Sequence, residues 1–153
     1  MTEKLYFDFE NDLFNSATAK RKGINNTTSD PKILSRLMYL TWYLLNPLRV
    51  LIGLPIIVVC AYRCPDLNTI FKGAKTGHPE GYCADIMVNG WTQEKLFNTI
   101  LNIIKSKKIT EFDQVIWEKD SNCIHVSYRH GNNRKEVLIR TCTNGVYLYT
   151  RVL

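Results

Sequence analysis

Histidine is scarce in this chain, where only His78, His125 and His130 occur among 153 residues. Cysteine occurs five times, and the closest pair, Cys60 and Cys64, is too widely spaced for the C-x-x-C redox motif. An odd cysteine count without such a motif favours buried, reduced thiols over a disulfide framework. Because the chain has only three histidines, a metal site with imidazole ligands would have to use one or more of them.

Long apolar runs are also missing. The most hydrophobic stretch, residues 38–62, is interrupted by Pro47 and Pro55 and by the charge of Arg49. No run therefore reaches the roughly 20 residues that a transmembrane helix needs. The first residues are polar, with acidic side chains within the first ten, which predicts no secretory signal peptide. We expect no membrane span, and synthesis in the cytoplasm.

Acidic residues are fewer than basic ones, 14 against 20, and the net charge is +6. Such an excess favours an anionic partner. Nucleic acid is one option, but the sequence has no basic motif interleaved with aromatic residues, so we predict no nucleic-acid binding. Bacterial wall polymer, which carries free carboxylates and phosphates, fits the charge equally well.

The length and an apolar content of 45% predict one domain over residues 1–153, with residues 1–29 as an N-terminal lead-in segment. A helix is predicted from Pro31, because Asp30 is a good cap and proline suits the first helical position. Its apolar stripe continues to Leu45, and a break is predicted near Pro47 before a second, short helical piece. Residues 56–60 then predict a buried strand that ends close to Arg63.

The part of the chain after residue 90 predicts one more helix and four strands. Thr92 is a helix cap, and an apolar stripe at helical spacing follows it. The last two strands are joined at Asn144-Gly145, a strong hairpin signal. The fold class that follows is α+β: helices packed on one mainly antiparallel sheet whose other face is open.

The most informative stretch places His78 in a loop rich in Gly and Pro and Asp85 at the start of an apolar strand. A carboxylate that enters an apolar strand is costly unless a positive group binds it. A divalent metal held also by His78 would do so, and zinc accepts imidazole and carboxylate ligands. A hydrogen-bonded pair of the two side chains explains the same spacing equally well.

A third ligand is available from a predicted β-hairpin. Two strand patterns, residues 114–118 and 123–128, are separated by a four-residue loop that pairs Ile116 with His125. Side chains alternate along a strand, so Glu118 and His125 would share one face. The alternatives are that His125 is a satisfied core residue, and that a slip of one position turns Glu118 to the other face.

Three longer motifs follow one another along the chain. The first has a Ser or Thr near a His, then Gly, a small residue and Asp; it is filled here by Thr76, His78, Gly81, Cys83 and Asp85. The second is Tyr-Arg-Cys-Pro-Asp-Leu-Asn at residues 62–68. The third is Phe-Asp-Gln-Val-Ile-Trp-Glu at residues 112–118, followed by His-Val-Ser-Tyr-Arg at 125–129 and Asn-Arg-Lys at 133–135. Together these motifs resemble the zinc peptidases of the D-Ala-D-Ala carboxypeptidase and Hedgehog type, the LAS metallopeptidases, and within them the small phage and bacterial branch that cleaves peptidoglycan cross-links.

This resemblance implies a Hedgehog/D,D-peptidase-like fold and a Zn²⁺ ion bound by His78, Asp85 and His125. It gives Arg63 a catalytic and substrate-binding role, in which it stabilises the oxyanion or holds a substrate carboxylate. It also places Thr76 in substrate binding.

The base that activates the attacking water is less directly implied. Many members of the group carry a Glu three residues before the last His, where this chain has Asn122. Glu118 is therefore the candidate base, and Asp120 is the reserve candidate.

The function implied by the resemblance is hydrolysis of peptidoglycan stem or cross-link peptides by an endolysin or a virion-associated peptidase, with other phage virion proteins as prospective partners. The alternative is a catalytically degenerate structural or wall-binding module of a phage particle. Two departures favour that alternative, namely Asn122 and Cys123, the latter standing where this branch usually has Trp.

Overall fold

The computed structural model describes residues 4–153. Residues 1–3, part of the polar start from which the absence of a signal peptide is predicted, lie outside the described residues. Helices and strands alternate irregularly along the chain, as expected for an α+β protein. The helices are α1 Ala17–Lys22, α2 Pro31–Leu40, α3 Asn46–Ile52, α4 Pro65–Phe71 and α5 Gln93–Lys105. The strands are β1 Ile56–Cys60, β2 Cys83–Val88, β3 Gln114–Glu118, β4 Ile124–Ser127, β5 Glu136–Thr143 and β6 Val146–Arg151.

The strands form one sheet in the order β1-β2-β4-β3-β5-β6. All neighbouring pairs are antiparallel except β3 and β5, which run parallel. The prediction of one mainly antiparallel sheet is therefore confirmed. The parallel pair arises because the chain leaves β4, passes to the other side of β3 and pairs there with β5.

Helix α2 begins as predicted, since the Asp30 carboxylate accepts a hydrogen bond from Lys32 N at 2.9 Å. The predicted break near Pro47 is wrong, because a π-helical segment, Thr41–Leu45, joins α2 directly to α3. A proline in a regular helix would collide with the carbonyl of the residue four positions earlier. For Pro47 that residue lies in the π-helical segment, whose wider turn ends immediately before α3. Pro47 then lies in the first turn of α3, where its missing N–H is no loss.

Helix α5 covers one face of the sheet. Thr92 Oγ1 accepts a hydrogen bond from Lys95 N at 3.1 Å and caps the helix as predicted. Its apolar stripe lies against β2, β3 and β4. Burial of each such Leu, Ile or Phe contributes about 1.5–3 kcal/mol. The buried residues of the stripe are Leu96, Phe97, Ile100, Leu101, Ile103 and Ile104.

Strand alternation leaves the other face of the sheet open. Ala84, Ile86 and Val88 of β2 are buried in the core, whereas Asp85 between them points to the opposite face. Strand β1 was expected to be buried, but it is an edge strand with alternating burial: Ile56 and Val58 face the core and Cys60 is buried, whereas Ile57 and Val59 face the other side and are exposed. No helix in the described part of the chain is long and apolar enough to cross a bilayer.

Candidate metal centre and cleft

Asp85 and His125 come together through strand register. The two residues are directly opposed on the antiparallel pair β2–β4, and His125 is opposed to Ile116 on β3, as predicted. Directly opposed side chains lie on the same face of a sheet. Nδ1 of His125 accordingly lies 3.0 Å from Oδ1 of Asp85. The hairpin register inferred from the sequence is thus confirmed.

His78 reaches the same point from a short 3₁₀ turn, His78–Glu80, that precedes β2. The turn ends at Gly81, whose φ is +82° and where a Cβ would lie 2.9 Å from the carbonyl oxygen of Ile33. Only glycine fits that position without strain. The turn is thereby fixed against α2, and the side chain of His78 is 9% exposed.

A backbone carbonyl fixes the tautomer of His78. Nδ1 of His78 donates to the carbonyl oxygen of Ala61 at 2.7 Å. The lone pair of the neutral ring is then on Nε2, which lies 3.4 Å from Oδ2 of Asp85. A ring N–H bonded to a carbonyl is the usual support of a metal-binding histidine.

One potential ligand atom from each of His78, Asp85 and His125 lies within 4.8 Å of the others. Ligands about 2.0–2.1 Å from a tetrahedral zinc ion lie roughly 3.3 Å from one another. Oδ2 of Asp85 lies 3.4 Å from Nε2 of His78 and Oδ1 of Asp85 lies 3.0 Å from Nδ1 of His125, contacts close to that spacing. Two nitrogen donors and one carboxylate are also a donor set that zinc uses in catalytic sites. The residues present therefore fit the metal.

Charge within the cluster favours ionised Asp85. Burial alone would raise the pKa of its carboxyl, but His78 and His125 outweigh burial and hold the pKa well below its usual range. Burial acts to lower the pKa of His125, and Cys83 and Asp85 together raise it well above its ordinary value. A proton and a metal would therefore compete for His125, because a ligand imidazole must be neutral.

Arg63 lies beside the cluster, just after β1. Its Nη2 is 3.3 Å from Oδ2 of Asp85, and its guanidinium lies over the ring of Phe71 at 4.7 Å. Buried Asn26 fixes the backbone on either side of it: Nδ2 donates to the carbonyl of Tyr62 at 2.9 Å, and Oδ1 accepts from Cys64 N at 2.8 Å. Sequence reasoning gave no role to Asn26, which lies in the lead-in segment of residues 1–29.

The family model of Peptidase M15 matches residues 7–127. The chain belongs to the Peptidase M15 family. Peptidases of this family are zinc-dependent, so membership and the cluster together indicate a metallopeptidase that acts on peptides. The α+β architecture agrees with that assignment. No curated protein matches the chain.

The two candidate bases of this M15 peptidase lie in different surroundings. Glu118 lines the cleft that contains the cluster, and its Oε1 is 3.0 Å from Nη1 of Arg140. Burial, reinforced by the charge of Asp85, raises the pKa of Glu118. Asp120 lies in the hairpin loop outside the cleft lining, where both of its oxygens accept from Arg140, at 3.1 and 2.8 Å.

Thr76 and Asn122, which the sequence analysis also considered, lie in different places: Thr76 at the cleft and Asn122 away from it. Thr76, proposed for substrate binding, is exposed and lines the cleft. Asn122, at the position of the Glu that many family members use, lines a separate cavity with Trp91 and Leu96. Asn122 therefore does not contribute to the cleft lining.

A buried carboxylate that sequence reasoning missed lies at the edge of the cleft. Asp113 is 0% exposed and accepts hydrogen bonds from Ser127 Oγ at 3.0 Å and from Arg134 Nε and Nη2 at 2.9 and 2.7 Å. Arg129 Nε also donates to it, at 3.3 Å. The only sequence signal was its place in the Phe-Asp-Gln motif. A single acidic residue before a strand is not part of a periodic pattern, so hydrophobic periodicity does not reveal that it is buried.

All five cysteines are free, as the sequence predicts, and all except Cys142 are buried. Cys123 lies next to β4, and burial, with the nearby charges of Asp85 and Glu118, raises its pKa to about 11. A thiol with that pKa stays protonated at neutral pH and is a poor nucleophile and metal ligand.

Proposed function

We propose that the protein is a zinc-dependent peptidase that hydrolyses stem or cross-link peptides of peptidoglycan. The observation that carries the proposal is the convergence of His78, Asp85 and His125 within 4.8 Å of one another in a cleft that Glu118 and Arg63 also line. The cleft has a volume of about 640 Å³, enough for several residues of a peptide.

In this proposal His78, Asp85 and His125 hold the zinc ion. When bound, zinc lowers the pKa of a water ligand and polarises the scissile carbonyl. Glu118 takes a proton from the attacking water and delivers it to the leaving amine. Its raised pKa suits that task, because a base works best when its pKa approaches the working pH.

Arg63 and Thr76 act on the substrate. The guanidinium of Arg63 donates to the oxygen that becomes negative in the transition state, or binds a carboxylate of the peptide. Its contacts with Asp85 at 3.3 Å and with Phe71 hold it at the cluster. The hydroxyl of Thr76, at the cleft rim, hydrogen-bonds to the peptide backbone.

The proposed substrate contains D-residues and free carboxylates, and a net charge of +6 favours binding to such an anionic wall. The proposed activity is that of a D,D-carboxypeptidase or endopeptidase. The proposed setting is a phage, in which the protein acts as an endolysin or as a virion-associated peptidase. The motifs that resemble the phage and bacterial branch support this setting.

Digestion of purified cell walls tests the proposal. We expect soluble muropeptides and new free amines from wild-type protein, loss of both with a chelator, and recovery with added zinc. His125→Ala should be inactive, whereas His130→Ala, which changes an exposed loop histidine, should be active. Release that persists with chelator or in His125→Ala would contradict the proposal.

The alternative is a wall-binding module that has lost catalysis, favoured by Asn122 at the position of the usual base. It predicts that the protein binds zinc and sediments with cell walls but produces no new amine from any stem peptide. The same digestion experiment therefore separates the two functions.

A further inference from the structure

The charged side chains of the cleft are distributed unevenly around the proposed metal ligands. Strand register orders them into rows across β2, β4 and β3. His125 and Asp85 lie in the row of Ile116, Ser127 lies in the next row with Gln114, and Glu118 lies on the other side of Ile116. Each row is about 7 Å from the next, since two residues of a strand span that distance.

The row of Ser127 leads to an end of the cleft with surplus positive charge. Two guanidinium groups, those of Arg129 and Arg134, share the single carboxylate of Asp113. Arg134 lines the cleft with a side chain that is 48% exposed. Within residues 4–153, Nη1 of Arg134 and both terminal nitrogens of Arg129 have no hydrogen-bond acceptor.

These two arginines are also held in position. Asp113 accepts from Nε and Nη2 of Arg134, a bidentate contact that fixes the plane of the guanidinium. Arg129 donates to the same carboxylate and lies 4.1 Å from the ring centroid of Tyr82. Their remaining N–H groups are thus preorganised donors, which lowers the cost of binding an anion.

In the described part of the chain, the opposite end of the cleft offers no surplus positive charge. Arg140 contacts two carboxylates, Glu118 at 3.0 Å and Asp120 at 2.8 Å. Its guanidinium is therefore already neutralised by protein groups and stacks on the ring of Tyr147 at 4.7 Å. A substrate carboxylate would meet a guanidinium there that already pairs with two carboxylates, whereas Arg129 and Arg134 have N–H groups without an acceptor among the described residues.

We propose that Arg134, with Arg129, binds a free carboxylate on the acyl side of the scissile bond. This inference depends on the proposed function, in which Glu118 hands a proton to the leaving amine and the leaving half therefore extends past Glu118. The acyl half then extends the other way, towards Arg134. The substrate class is a peptide with a free carboxylate on its acyl half, and both arginines lie beyond residues 7–127, which the family model matches.

Matched muropeptides test this inference. The two substrates differ only in the acyl-side group, a free carboxylate in one and a primary amide in the other. Wild-type protein should prefer the carboxylate by roughly 10- to 100-fold in kcat/KM, the range of a charge-assisted hydrogen bond. Arg134→Gln should remove most of that preference. Equal rates on the two substrates, or an unchanged preference in Arg134→Gln, would overturn the inference.

Lys135→Gln is the matched control. Lys135 is the next residue, its side chain is 49% exposed, and its amine contacts Glu111 outside the cleft lining. The variant removes the same charge and should keep the full preference for the carboxylate. A third substrate with the carboxylate on the leaving side only should gain nothing over the amide. A higher kcat/KM for that third substrate than for the amide would place the anion site on the leaving-group side and contradict the inference.

A binding measurement separates this inference from the proposed function. Isothermal titration of metal-free protein with the acyl-side fragment, as carboxylate and as amide, requires no turnover. Preferential binding of the carboxylate that is lost in Arg134→Gln supports the anion site even if no peptide is hydrolysed. Hydrolysis without any carboxylate preference supports the peptidase and refutes the anion site. If Arg134→Gln fails to fold, the substrate pair with wild-type protein still decides.

Discussion

Asp85 and His125 are directly opposed on β2 and β4, and Nδ1 of His125 lies 3.0 Å from Oδ1 of Asp85. Two of the three proposed ligands are therefore fixed by backbone hydrogen bonding of the sheet rather than by loops. Sites built on strands are held more exactly than sites on loops. Only His78 depends on a loop, and the carbonyl of Ala61 and the turn at Gly81 restrain it.

Replacement of the central carboxylate should abolish zinc binding. Asp85→Asn removes the negative charge that both imidazoles contact, so we expect the zinc content to fall from about one ion per chain to nearly none. Asp66→Asn, which changes an exposed carboxylate in the first turn of α4, is the control. Metal analysis of dialysed protein measures both, and full zinc content in Asp85→Asn would contradict the ligand assignment.

Zinc should stabilise the fold. A ligand present at 100 times its Kd adds about 2.7 kcal/mol to the free energy of unfolding. For a chain of this size, that raises Tm by about 5–10 °C. Magnesium at the same concentration should have little effect, because it prefers oxygen ligands in octahedral geometry. A Tm that does not respond to zinc would be inconsistent with a site formed by His78, Asp85 and His125.

The two candidate bases can be separated by conservative variants. Glu118→Gln should retain zinc but lose at least about 100-fold in kcat, the lower bound for removing a general base. Asp120→Asn should retain most activity, since Asp120 contacts Arg140 outside the cleft. Both variants need measured zinc contents and steady-state kinetics on one muropeptide. The reverse pattern would assign the base to Asp120.

Arg140 should set the acid limb of the pH profile. Its positive charge lowers the pKa of Glu118, although burial and Asp85 raise that pKa overall. Glu118 must be ionised to accept a proton, so kcat/KM rises as the pH passes its pKa. In Arg140→Gln the pKa of Glu118 increases further, and the acid limb should move to higher pH. Arg151→Gln, which changes an exposed arginine of β6, should leave the limb in place.

Asp113 should make the fold sensitive to acid. Burial acts to raise the pKa of Asp113, but hydrogen bonds from Arg134 and Ser127 outweigh burial and lower it. A carboxyl with a lowered folded-state pKa stabilises the protein fully above its unfolded value of about 3.9, and that stabilisation is lost as the pH falls further.

Asp113→Asn should accordingly lower the free energy of unfolding at pH 7 by about 1–3 kcal/mol, the cost of leaving its donors unmatched. The difference from wild type should shrink as the pH falls from 5 to about 2. Urea denaturation across this range measures it. Glu111→Gln is the control, because Glu111 pairs with Lys135 at the exposed surface. An equal loss in both variants would contradict a special role for Asp113.

The sequence predicted the parts of the fold that depend on local chemistry. The caps at Asp30 and Thr92 and the turn at Asn144-Gly145 are confirmed because each depends on side chains within a few residues. The register that opposes Ile116 and His125 was predictable because a short loop determines which strand residues face each other.

The remaining features depend on contacts between distant parts of the chain. The parallel pairing of β3 with β5 follows from a crossover, and no local signal specifies it. Asp113 is buried in a hydrogen-bond network only because Arg134, 21 residues later in the chain, donates to its carboxylate. At Pro47 the local signal was misleading: proline predicted a break, but a π-helical segment accommodates it and the helix continues.

The parallel pairing of β3 with β5 places Arg140 opposite Glu118, although β5 lies beyond the residues that the family model matches. In the proposed function the three zinc ligands, His78, Asp85 and His125, all lie before residue 128, whereas the proposed anion-binding residues Arg129 and Arg134 lie after it. Exchanging residues 128–153 for the equivalent segment of another M15 peptidase should therefore change the carboxylate preference and, through the loss of Arg140, the pH profile, while the three proposed zinc ligands are kept.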